Sequence, residues 1–116
     1  RVAGIHGTIF TGPPHDPSAD LRNVTVFGNG ALDRSPSGTG TASVVTVIDA
    51  LGFADDRRPF LDETITGTTF TGRVAARTMV GEYSAIVPEI QGSAWITGEH
   101  TFLVDPDDPL GMGFTL

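Results

Sequence analysis

Cysteine is absent from the 116 residues, and so is lysine. Without thiols, neither a disulfide nor a thiolate metal site can form within this stretch. Without lysine, and with a net charge of −7, the chain lacks the basic stripe that nucleic-acid binding needs. No run of roughly 18 apolar residues is present, which excludes a membrane-crossing helix of the usual kind. A basic-then-apolar leader is also missing, so a cytoplasmic protein is the default expectation. The opening Arg1-Val2-Ala3-Gly4 reads as the interior of a longer polypeptide. An arginine-only, aspartate-rich composition suits a salt-adapted host, where acidity keeps a protein soluble, and equally a GC-rich codon bias.

What is present points to a small, turn-rich unit. Hydrophobic residues make up 39% of the chain, which argues against disorder. Fifteen glycines and eight prolines favour short strands and tight turns over a helical bundle. A chain of this length fits one small domain with a modest core. In order, a strand is expected near Gly4–Thr11, closed by Gly12-Pro13-Pro14. After a polar loop, Arg22–Phe27 alternates, with Asn23, Thr25 and Phe27 on one side and Val24 and Val26 on the other. Gly28-Asn29-Gly30 then turns the chain. Further strand-like runs are Phe60–Thr66, Thr69–Ala76, Tyr83–Ile90, Ser93–Thr97 and Thr101–Val104. Gly67, Gly72, Gly81, Gly92 and Gly98 punctuate them, which suits a meander or barrel-like sheet.

The most informative stretch is Asp33-Arg34-Ser35-Pro36-Ser37-Gly38-Thr39-Gly40-Thr41, which runs into an apolar segment with helical length. A helix is expected over Thr41–Leu51, with Gly52 beyond its end as the C′ residue. Its apolar positions (42, 44, 45, 47, 48, 50 and 51) lie nearly all round the circumference, so burial on most sides is expected. Small polar residues at such a start satisfy or expose the first backbone N–H groups. Together with the helix dipole, those groups favour an anion. By residue type alone, Ser37 is also an ordinary helix-start residue, Asp33 an ordinary turn former, and Phe27 an ordinary core aromatic.

Other motifs carry less. His6, His15 and His100 have no spacing that converges on a metal, and no metal site is expected. Asp105, Asp107 and Asp108 lack the glycine and glutamate positions of a calcium loop and read as a solvated turn. Gly38-Thr39-Gly40-Thr41 lacks the Lys-Ser/Thr ending of a phosphate-binding loop. Asn23-Val24-Thr25 fits a glycosylation sequon inside a strand, a coincidence for a cytoplasmic chain.

Asp33-Arg34-Ser35-Pro36-x-Gly38-Thr39-Gly40-Thr41 is similar to the second active-site motif of the proline racemase family. That family holds proline racemases, hydroxyproline 2-epimerases and trans-3-hydroxy-L-proline dehydratases. The likeness extends over Gly7–Pro14, Asp20–Phe27, Gly67–Val74, Gly92–Gly98 and Asp105–Leu116. It covers nearly the whole chain but only the final third or so of a family member. The first active-site half, with its own Cys-Gly-His-type motif, is not in this sequence.

The resemblance implies an α+β fold, a diaminopimelate-epimerase-like lobe whose strands wrap around a central buried helix. It implies removal of the Cα proton of a proline-type imino acid, with no cofactor, in a cleft shared with the N-terminal portion of the same enzyme. Homodimers are common in the family. By the same resemblance Ser37 takes the second catalytic position, where racemases and epimerases carry cysteine. Asp33 would accept from the substrate's ring nitrogen, Gly38 and Thr39 would hold its carboxylate, and Phe27 would pack on its ring. Arg34 is expected to anchor the loop. Members with a hydroxyl residue at the second position are typically dehydratases, so Ser37 tilts the expectation that way. The racemase or epimerase alternative includes a cysteine-to-serine change at Ser37, and a non-catalytic imino-acid-binding relative and a purely structural fragment are the remaining ones. The fragment alone is expected to be inactive.

Overall fold

The computed structural model describes residues 4–55 and 57–113. Five strands and one helix follow in the order β1 (Gly7–Gly12), β2 (Leu21–Phe27), α1 (Gly38–Ala50), β3 (Phe60–Thr64), β4 (Thr69–Val80) and β5 (Tyr83–Gln91). They form a single five-stranded sheet in chain order. Neighbouring strands are antiparallel except β2 and β3, which run parallel. A parallel step needs a crossover, and α1 supplies it. The architecture is a mixed α+β fold.

Turn chemistry closes the hairpins. Thr64 and Thr68 pair across Gly67, whose φ of 81° suits glycine. Gly81, at φ 60°, takes the first of the two positions linking Val80 to Tyr83, the type II′ pattern. β4 runs on to Val80, past the expected Ala76, by means of a register shift between Val74 and Ala76.

The helix begins earlier than its apolar run, at Gly38, because Ser37 caps it. Its C-terminus closes as expected on Gly52, with φ 77° and the paired bonds Gly52 N–H to Asp49 O and Phe53 N–H to Ile48 O. The expected burial on most sides is corrected. Only the flank carrying Gly40, Thr41 and Val45 is buried, while Val47 and the capping Leu51 are exposed. One sheet covers one flank, and no second layer lies over the other among the described residues. Ser43 and Thr46 on that outer flank return their hydroxyls to the carbonyls of Thr39 and Ala42.

Two expected strands are also corrected. Residues 93–97 and 101–104 form no strand, and Trp95, Ile96, Phe102 and Leu103 are exposed. A strand exists only through a partner's backbone groups, and this segment finds none among the described residues. It leaves the chain extended: the Cα radius of gyration is 18.5 Å, against about 13 Å for a compact domain of this length.

The interior is small and polar. Among the described residues, the buried hydrophobics are Ala19 and Val45, whereas Asn23, Thr25, Thr41, Asp62, Glu63 and Thr64 are all buried. The strand register puts Asn23, Thr25, Asp62 and Thr64 on the helix-facing side. A Cβ at Gly72 would lie 2.7 Å from Val45 Cγ2, so the bare backbone there is the notch into which the helix seats.

Candidate active site

The loop before α1 is built by short polar side chains bonding their own backbone. Asp33 Oδ1 accepts from both the N–H and the hydroxyl of Ser35, each at 2.8 Å. Asp33 N–H in turn donates to Thr25 O, which ties the loop to β2. Ser35 Oγ accepts from Ser37 N–H at 3.1 Å. The carbonyl of Arg34 accepts from Thr66 Oγ1 at 2.8 Å, so this residue does anchor the loop, through its main chain.

Ser37 is the N-cap. Its carbonyl takes the first helical bond, from Thr41 N–H at 2.8 Å, and its Oγ accepts from Gly40 N–H at 3.3 Å. Its φ of 68° and ψ of 118° make it the one non-glycine residue at positive φ among the described residues. Such backbone costs about 1–3 kcal/mol and persists where surrounding contacts impose it. Gly38 and Thr39 follow, both exposed, with N–H groups that have no acceptor one turn earlier. A Cβ on Gly38 would meet nothing within 4 Å, so a ligand has room to reach the main chain. Gly40 is different: a Cβ there would stand 2.9 Å from Ser37 Cβ and 3.2 Å from Ile9 Cδ1.

The structure therefore places Asp33, Ser37, Gly38 and Thr39 together in one continuous turn. Phe27 lies at the end of the neighbouring strand, 41% exposed, with its N–H on Ala31 O. The bridge between Val26 and Leu32 carries the chain from Phe27 back toward Asp33. Ser37 itself is buried, at 7% exposure, and the turn opens to solvent at Gly38 and Thr39. A cavity of about 440 Å³ lies at the opposite half of α1, lined by Val45, Ile48 and Phe53, and none of the five residues lines it.

Beneath the turn sits a group that sequence reasoning did not find. Asp62, fully buried on β3, accepts at Oδ2 from Asn23 Nδ2 and from Thr41 Oγ1, each at 2.7 Å. Asn23 Nδ2 also donates to the Pro36 carbonyl at 3.2 Å, and Thr41 Oγ1 lies 3.4 Å from the same oxygen. Burial pushes the Asp62 carboxyl up to about 6, against the opposing pull of the bonds from Thr41 and Asn23. The available signal was the period-2 placement of polar Asn23 and Thr25 on one side of β2. Farther away, Arg77 clasps Asp49 through two bonds of 2.7 and 2.8 Å and holds that carboxyl below its usual range.

Among the described residues, no group of three or more His, Asp or Glu side chains converges on a point where a metal could bind. His15 instead meets Arg22 at 2.9 Å, and Asp105 and Asp108 accept from the backbone of Asp107 and Leu110, as a turn requires. No described helix is long and apolar enough to cross a membrane.

A strained hydroxyl cap, two free N–H groups and a carboxylate on one turn define an open anion-favouring helix start on an α+β lobe. The chain belongs to the proline racemase family, whose sequence model matches residues 1–115. It is 48% identical over 103 residues to a proline racemase of Acetoanaerobium sticklandii, covering 89% of this chain and 31% of that one. It is 45% identical over 115 residues to a trans-3-hydroxy-L-proline dehydratase of Bacillus cereus, covering 99% of this chain and 34% of the relative. In structure it is similar to a hydroxyproline epimerase from Agrobacterium vitis with bound trans-4-hydroxy-L-proline. That match has a TM-score of 0.74 and 34% identity over 97% of this chain and 32% of the epimerase. The chain spans about a third of the length of these relatives.

Proposed function

We propose that this chain supplies one face of a site that removes the Cα proton from a proline-type imino acid, and that the reaction is dehydration of trans-3-hydroxy-L-proline. The observation that carries the dehydratase reading is the state of Ser37. Its oxygen accepts from the Gly40 N–H, and no His, Asp or Glu side chain bonds it among the described residues. An alcohol without an activating base neither takes nor returns a proton at Cα. Racemisation and epimerisation need a proton donor on the second face of Cα; dehydration needs none there, because the β-hydroxyl leaves instead. The base would then come from the N-terminal portion of the same enzyme, without a cofactor.

In this reading the substrate carboxylate sits on the N–H groups of Gly38 and Thr39, where partial positive charge also acidifies the α-proton. The cationic ring nitrogen meets Asp33, and Phe27 flanks the pyrrolidine ring. The lobe is of the diaminopimelate-epimerase type, works in the cytoplasm and holds an incomplete site by itself.

Proton NMR in D₂O with the full-length enzyme tests this, giving L-proline, trans-4-hydroxy-L-proline and trans-3-hydroxy-L-proline separately. Conversion of the 3-hydroxy substrate to a pyrroline carboxylate without an epimer is expected. Epimer bearing deuterium at Cα would replace the dehydratase with a racemase or epimerase. No exchange with any of the three would remove the enzymatic reading of this serine form.

A further inference from the structure

We infer that Asp62 is a positioning residue for the helix start: through Asn23 it fixes the Pro36–Ser37 peptide, through Thr41, whose N–H donates to the Ser37 carbonyl, it fixes the first helical turn, and the two together set the orientation of the Gly38 and Thr39 N–H groups. The ligand half of this inference rests on the imino-acid reading of the site.

The Pro36–Ser37 peptide is planar, so its carbonyl and its N–H point in fixed opposite directions. Both ends are held. On one side the Pro36 oxygen accepts from Asn23 Nδ2 at 3.2 Å, and on the other Ser37 N–H donates to Ser35 Oγ at 3.1 Å. Gripping the plane from two sides sets φ of Ser37 at 68°, a value serine does not choose by itself. Ser37 in turn carries the Oγ that caps Gly40 and the carbonyl that starts the helix.

Asp62 decides where the two donors point. Thr41 has a single hydroxyl hydrogen, and Asp62 Oδ2 at 2.7 Å outcompetes the Pro36 oxygen at 3.4 Å for it. The Asn23 amide has two hydrogens, so it spans Asp62 Oδ2 and Pro36 O at once. Remove the carboxylate and the amide loses one of its two anchors, while the Thr41 hydrogen is released. All of this lies out of water: Asn23, Thr41 and Asp62 are each 1% exposed or less. A site whose only task was packing would carry an aliphatic side chain, because a buried acid is unfavourable there. Neither Asp62 nor its partners touch the surface that a ligand would occupy, so the action is indirect.

The test uses the full-length protein with Asp62→Leu, Asp62→Asn and Thr41→Val. Asp62→Asn keeps an acceptor for both donors; the other two break the relay. Two readouts are taken: exchange of the Gly40 amide relative to that of Val45 by NMR, and affinity for pyrrole-2-carboxylate, a planar mimic of the deprotonated substrate. Asp62→Leu and Thr41→Val are expected to speed Gly40 exchange at least tenfold and weaken the mimic at least tenfold, with Asp62→Asn within threefold of the parent on both. Thr41→Val carries the test by itself if Asp62→Leu does not fold. Unchanged Gly40 exchange in a folded relay-breaking variant would overturn the inference. So would faster exchange with unchanged affinity, because the loop's hold would then not set the binding groups. Faster exchange in a protein whose parent form does not bind the mimic would leave Asp62's hold on the loop standing and remove the imino-acid reading instead.

Discussion

Replacing Ser37 by glycine is expected to make the protein more stable while removing its hydroxyl. At φ 68° and ψ 118° the serine backbone is strained, and glycine adopts that region freely. Relief of such strain is worth about 1–3 kcal/mol. Against it stand a few tenths of a kcal/mol for the weaker cap and about 0.4–1 kcal/mol for the freer unfolded chain. The net is a gain of about 1 kcal/mol. Ser37→Ala keeps the strain and loses the Oγ that accepts from Gly40, a loss of about 1 kcal/mol. The two variants are thus separated by about 2 kcal/mol, with the smaller residue the more stable. In urea, at a slope of about 2 kcal/mol per molar, their unfolding midpoints fall about 1 M apart. Equal midpoints, or a more stable alanine variant, would show that the positive φ carries no strain and that the grip on the Pro36–Ser37 peptide is not what holds it.

Three further outcomes follow from the same geometry. Gly40→Ala forces a Cβ to within 2.9 Å of Ser37 Cβ and is expected to cost about 1–3 kcal/mol in thermal unfolding, whereas Gly38→Ala meets open space and changes stability by less than about 1 kcal/mol while weakening pyrrole-2-carboxylate. Asp62, raised from 3.8 to about 6, binds its proton more tightly in the folded state. Its contribution is therefore fully present below about pH 3.8 and is lost as pH rises through 6, by about 3 kcal/mol in all. Asp62→Asn should flatten that part of the stability profile, and an unchanged profile would place the titration elsewhere. Asp33→Asn keeps an oxygen for the Ser35 N–H and hydroxyl and removes the charge; calorimetry is expected to show at least tenfold weaker binding of L-proline with a nearly unchanged melting temperature.

Local chemistry was legible in the sequence, and long-range assembly was not. Gly52 at the helix end, the strand at residues 22–27 and the hairpin at Gly81 follow from rules that act within a few residues. The helix start was read three residues late, because the apolar run begins after the cap that Ser37 provides. The strand pattern at residues 93–104 names side-chain faces but no partner, and a strand without a partner is only extended chain. The ring of apolar positions on α1 says that its surfaces are apolar, not which of them a sheet covers. Hardest to see was Asp62, because Asn23 precedes it by 39 positions and Thr41 by 21. Nothing in strand or helix periodicity pairs those three. Ser37, Asp33, Gly38 and Thr39 fall on one turn because they are neighbours in the chain, and that grouping needs no tertiary fold; the roles expected of them came from the resemblance and not from their spacing.

The two-sided grip on the Pro36–Ser37 peptide has a consequence for what position 37 can carry. The peptide before residue 37 is held by its main chain, between the Asn23 amide and the Ser35 hydroxyl, with the side-chain bond to Gly40 N–H as an addition. A thiol and the present hydroxyl can therefore be exchanged at that point without re-siting the loop, the carboxylate at Asp33 or the free N–H groups behind it, whereas a β-branched side chain would add to the strain of the positive φ. The loop is a fixed holder with a replaceable tip, and changing the group it presents needs one codon rather than a new fold.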